Sequence, residues 1–119
     1  MYPSGSWRGY WEQAGFGRQA MHDLVLQFAG GQIMGAGRDC VGQFTFSGNY
    51  DDRGAVTLVK QYLGRHRVHY QGNYDGEGTI FGRWSIYDVS WGPFALSPVD
   101  FEVPADTAIV TIGAAPPEA

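Results

Sequence analysis

The chain has 119 residues, enough for one domain around a single core, with 18 glycines, 15% aromatics and a single cysteine. One cysteine excludes an internal disulfide framework, and no stretch approaches the ~20 apolar residues of a membrane-crossing helix. The net charge of −4 is uneven: up to Arg83 eight bases face seven acids, and beyond it come five acids and no base, which argues against nucleic acid as a partner.

The opening Met1-Tyr2-Pro3-Ser4-Gly5 has neither a basic region nor an apolar run, so a cytoplasmic protein without a signal peptide is expected, with secretion left open. Gly5–Glu12 alternates around Trp7, Gly9 and Trp11 and reads as a first strand. Gln13–Gln19 contains two glycines and reads as a loop. Met21–Phe28 is the next strand, with Leu24, Leu26 and Phe28 on one face; His22 shares that face and reads as a structural residue. Gly30-Gly31 is a tight turn, and Gln32–Gly37 returns. Cys40 reads as a small residue at the start of the strand Val41–Gly48. Ala55–Tyr62, Arg67–Gly72, Thr79–Tyr87 and Trp91–Leu96 bring the count to eight strands, and no segment carries a helical period.

One unit is written twice. Phe46-Ser47-Gly48-Asn49-Tyr50-Asp51-Asp52-Arg53-Gly54 returns 24 residues later as Tyr70-Gln71-Gly72-Asn73-Tyr74-Asp75-Gly76-Glu77-Gly78. Asn and Asp bond to nearby backbone, and glycine takes φ > 0 without a Cβ clash, so each copy reads as a hairpin turn. Neither loop has the ligand spacing of a calcium loop, so turn chemistry is preferred to a metal site.

Eight antiparallel strands in chain order with short turns close naturally as an up-and-down barrel, which removes exposed edges; a two-sheet sandwich is the alternative. The expected fold is all-β: an eight-stranded antiparallel up-and-down (meander) barrel over residues 1–97, with a C-terminal extension over 98–119. Inward positions pair a bulky residue with a glycine, as in Trp7-x-Gly9-x-Trp11, Phe44-x-Phe46-x-Gly48, Tyr70-x-Gly72 and Ile80-x-Gly82-x-Trp84. Glycine there either lets strands coil and makes room for rings, or leaves space for a ligand; the first is favoured because an eight-stranded barrel is just wide enough for side chains to fill it.

The opening Gly5-Ser6-Trp7-Arg8-Gly9-Tyr10-Trp11 resembles the Gly-x-Trp start of the calycins, the superfamily of lipocalins, fatty-acid-binding proteins and avidins. Phe44–Tyr50 and Ile80-Phe81-Gly82-Arg83-Trp84 fit the same style. The resemblance implies a small calycin-like barrel in which Trp7 packs at the closed end against a basic side chain from a late strand, a role open to Arg83. The biotin-gripping ring of avidins, the paired arginines and tyrosine of fatty-acid-binding proteins and the lipocalin disulfide have no counterpart here. No ligand identity is therefore carried over.

Arg65-His66-Arg67-Val68-His69-Tyr70 is the densest polar run, and alternation sends His66, Val68 and Tyr70 to one face. A solvated turn with surface arginines is one reading; the other gathers His66 and Tyr70 at one mouth with Lys60 and Tyr62. His22, His66 and His69 lack metal-site spacing, and no motif joins Cys40 to a histidine. No catalytic residue, metal or cofactor is assigned. The expected function is a non-catalytic binding module for a small apolar or aromatic ligand, or a peptide, held by Trp11, Lys60, Tyr62, His66, Tyr70 and Trp84, with Trp7, Arg83, Gly48 and Gly72 structural. The alternatives are a barrel cyclase or isomerase using Tyr and His acid–base chemistry, and a structural oligomerisation domain. Neither nucleic acid nor membrane is an expected partner. Homo-oligomerisation is expected through the barrel surface (Tyr10, Tyr50, Tyr87 and Trp91) or through the tail, whose Phe101-Glu102-Val103 and Ala108–Ile112 read as a covering or exchanged strand.

Overall fold

A computed structural model of the chain describes residues 2–87 and 89–99. They form a closed antiparallel barrel in which each strand pairs with its neighbours in sequence and the last pairs with the first. The strands are β1 (Gly5–Gln13), β2 (Gly17–Ala29), β3 (Gln32–Arg38), β4 (Gln43–Tyr50), β5 (Ala55–Tyr62), β6 (Arg67–Tyr74), β7 (Ile80–Ile86) and β8 (Ser90–Pro98). The barrel, not the sandwich, is therefore the fold. Strand alternation explains the filling: inward residues such as Phe44, Phe46, Leu58, Tyr70, Ile80, Phe94 and Leu96 are almost wholly buried.

Two local expectations are corrected. Residues 13–19 are not a loop: β2 begins at Gly17, and Phe16 N–H bonds to the Gln13 carbonyl to close a short turn. His22 does not share the inward face of Leu24. The β2–β3 register shifts between His22 and Val25, Asp23 takes φ 53°, and the bulge inverts parity, so that Met21 and Leu24 both point inward while His22 is exposed.

One end of the barrel is plugged. Tyr2 stacks on Phe28 at 4.8 Å and meets Tyr50 and Tyr74 edge-on at 5.1 and 5.0 Å. The two tyrosines come from the two copies of the repeated hairpin. In each copy the aspartate Oδ1 accepts two backbone N–H groups, Arg53 and Ala55 on Asp51, Glu77 and Thr79 on Asp75. The repeat is thus turn chemistry that delivers an aromatic to the closed end. Trp7 belongs to the same plug: it packs on Phe28 at 5.3 Å and donates its indole N–H to the Pro3 carbonyl.

The expected Trp7–Arg83 pairing does not form. Alternation in β7 turns Trp84 inward and Arg83 outward, where its guanidinium lies 4.6 Å from the centre of the Trp91 ring. Gly48, Gly72 and Gly82 sit where strands approach closely. A Cβ at Gly48 would run into the Thr57 carbonyl, and one at Gly82 into the Gln71 carbonyl and the Gly72 Cα. The extension from residue 100 onward, with its predicted strands, lies outside the described residues.

Candidate functional site

The other end is the mouth, rimmed by the β1–β2, β3–β4, β5–β6 and β7–β8 turns. Beneath it, strand parity makes a demand that apolar packing cannot meet. The inward series of β5 is Val56, Leu58, Lys60 and Tyr62, so an ammonium is carried into the core with 0% exposure. A charge there needs a partner.

The partner is Asp39, from the turn between β3 and β4. The inward parity of Ile33, Gly35 and Gly37 continues one residue past the strand. The turn is pinned by reciprocal Asp39–Gly42 backbone bonds and by Val41 N–H donating to Asp39 Oδ1 at 2.9 Å. The other carboxylate oxygen, Oδ2, accepts from Lys60 Nζ at 2.6 Å, Tyr62 O–H at 2.7 Å and Trp11 Nε1–H at 3.1 Å. Lys60 also donates to the Tyr70 hydroxyl at 3.1 Å and lies 4.3 Å from the centre of the Phe44 ring.

These contacts set the charges. Burial raises the Asp39 pKa, but hydrogen bonding and charge from Lys60, with the Tyr62 and Val41 donors, outweigh it, so the carboxyl ionises below its ordinary range. Burial pushes Lys60 down to about 8, with Asp39 recovering only part of the loss. Burial, then the Asp39 hydrogen bond and charge, raise Tyr62; burial, then the Asp39 charge, raise Tyr70 well above the phenol range. At neutral pH the cluster is an ion pair flanked by two protonated phenols.

Above this cluster an open cavity of about 260 Å³ is lined by Trp11, Phe16, Tyr62, Tyr70, Trp84 and Ile86, among others. Trp11 and Trp84 meet edge-to-face at 5.9 Å. Trp84 is held by its indole N–H on the Glu12 carbonyl at 2.9 Å, reaching past β8 at Gly92, where a Cβ would lie 2.8 Å from that nitrogen. Gly92 therefore permits this wall of the cavity.

Of the six expected ligand-binding residues, Trp11, Tyr62, Tyr70, Trp84 and His66 line this cavity, whereas Lys60 lies beneath it as Asp39's counter-ion. His66 stands in the exposed β5–β6 turn, its ring 5.1 Å from that of Tyr62. Asp39 and Gly92 were missed by sequence reasoning. The signal for Asp39 was present: a lysine at inward parity in β5 requires a carboxylate, and Asp39 continues the inward parity of β3. Cys40 is exposed in the same turn and not at a strand start. Among the described residues, no group of three or more His, Cys, Asp or Glu side chains comes together. Of the residues expected to be sticky, Trp91 and Tyr87 are exposed, while Tyr10 is half-buried under the Arg18 guanidinium and Tyr50 is half-buried at the plug.

Fold and site together define a small up-and-down β-barrel, plugged by aromatics at one end and open at the other over a buried Asp–Lys–Tyr cluster. No protein-family model matches the chain, and no curated protein matches it at a significant level.

Proposed function

We propose that this protein is a calycin-like barrel that binds a small apolar or aromatic molecule at its mouth, without chemical transformation. The observation that carries this is the position of the free space. The interior below Lys60 is filled by rings, with Phe46–Tyr70 at 5.2 Å and Tyr70–Phe94 at 4.6 Å, while the 260 Å³ cavity opens above them among aromatic walls. A dry apolar cavity of about 150 Å³ already holds benzene, so this volume suits one or two fused rings and is too small for a peptide segment.

The cluster below favours holding over catalysis. Its two phenols keep their protons, and its amine is held by Asp39 and the Tyr70 oxygen rather than facing the cavity. Titration with naphthalene tests the proposal, since Trp11 and Trp84 line the site and report by fluorescence. Saturable quenching is expected, and it should be lost in Val41→Trp, which places an indole in the cavity from a half-buried turn position. Absence of saturable quenching in the native protein would overturn it.

A further inference from the structure

We propose that the mouth ligand is a neutral planar molecule carrying one acceptor oxygen, a ring ketone or aldehyde, and that the Tyr70 hydroxyl receives that oxygen. This rests on the binding function above and names its ligand class. Three other donors of the aromatic lining already have an acceptor, Trp11 N–H and Tyr62 O–H on Asp39 and Trp84 N–H on the Glu12 carbonyl, while His66 stands out at the exposed rim. Tyr70 differs. Its oxygen accepts a Lys60 N–H, and its own proton has no acceptor among the described residues, although the residue is 1% exposed. A hydroxyl both donates and accepts, so a residue that lines the cavity keeps one donor to spare.

The same geometry selects against charge. Lys60 and Asp39 neutralise each other at 2.6 Å, so an anion entering the cavity finds no net counter-charge. The carboxylate also lies against Trp11 and Tyr62, two of the cavity walls, and repels it. Lys60, donating into the Tyr70 oxygen, polarises the phenol and strengthens the donor it presents.

The test compares 2-acetylnaphthalene, the isosteric hydrocarbon 2-isopropenylnaphthalene and the anion 2-naphthoate on the native protein and on Tyr70→Phe. A net hydrogen bond of about 1 kcal/mol corresponds to roughly fivefold tighter binding. The native protein should prefer the ketone over the hydrocarbon by about that factor and bind the naphthoate weakest, whereas Tyr70→Phe should bind ketone and hydrocarbon alike. The carbonyl stretch of the bound ketone, recorded on the native protein, should move to lower frequency than in hexane, a readout independent of the variant's folding. Equal binding of ketone and hydrocarbon to the native protein, an unshifted carbonyl band, or a preference that survives in Tyr70→Phe would overturn this inference while leaving the binding function standing. If neither naphthalene binds the native protein, both fall.

Discussion

Replacing Lys60 by methionine removes the cation facing Asp39 and leaves a carboxylate in a site with 0% side-chain exposure. Asp39→Asn leaves the converse, an ammonium with no counter-ion. Breaking a buried pair from one side costs roughly 3–5 kcal/mol, a fifth or more of the 5–15 kcal/mol that holds a typical domain together. The lower part of that range is expected for Lys60→Met, because Asp39 Oδ2 keeps the Trp11 and Tyr62 donors that stabilise its charge. The double variant Asp39→Asn with Lys60→Met behaves differently. The asparagine carbonyl still accepts from Trp11 and Tyr62, although its amide nitrogen then faces the Val41 N–H; methionine fills most of the lysine's volume among the rings, and no charge is buried, so the net loss should be about 1–2 kcal/mol. Urea unfolding followed by far-ultraviolet circular dichroism reads the cycle. With an m-value near 2 kcal/mol/M, each single variant shifts the midpoint down by about 2 M and the double variant by about 1 M or less. Single losses below about 1 kcal/mol, or a double loss equal to the sum of the singles, would refute the assignment of this pair as a coupled, desolvated unit.

Three further outcomes are expected. Lys60 holds its proton less tightly folded, at about 8, than unfolded, so above pH 8 the unfolded chain binds the extra proton and stability rises with pH by up to about 3 kcal/mol. Tyr62 and Tyr70 are raised, so above pH ~10 the unfolded chain loses phenol protons first and stability falls again; a steady decline of the urea midpoint from pH 7.5 to 10.5 would contradict this. Tyr2→Ala unplugs the closed end and should cost about 3–5 kcal/mol, whereas Tyr2→Phe should be neutral or gain about 1 kcal/mol, since the buried Tyr2 hydroxyl has no partner among the described residues; thermal melts of the two variants decide. Gly82→Ala drives a methyl into backbone and should cost about 3 kcal/mol or more, while Gly9→Ala meets chiefly a Leu96 methyl at 2.6 Å that can swing away, so its melting point should fall less.

The candidate site was only partly legible in the chain. Alternation is local and has a period of two, so Tyr62, Tyr70, Trp11 and Trp84 declare their inward direction to anyone counting along a strand. His66 and Lys60 obey the same count but end in different places. His66 precedes β6, outside the ladder that holds parity, and so reaches only the rim. Lys60 sits one pleat deeper than Tyr62 and becomes the support of the site. His22 shows where counting fails: a single bulge, with Asp23 at φ 53°, reverses the faces of the strand on either side of it.

Alternating apolar residues, glycine-rich turns and a duplicated Asn-Tyr-Asp hairpin carry enough local information to specify eight strands in meander order, because each depends on neighbours a few residues away. Barrel closure is what joins residues distant in the chain. It lays the β3–β4 turn over the mouth so that Asp39 meets Lys60, brings Tyr2 onto both repeated tyrosines, and passes the Trp84 indole across Gly92 to the Glu12 carbonyl. These contacts depend on register and on the curvature of the closed sheet, which no short stretch of sequence encodes. For that reason the walls of the cavity could be named from the chain, while the charge pair beneath it, although parity hints at both partners, is joined only by the folded barrel.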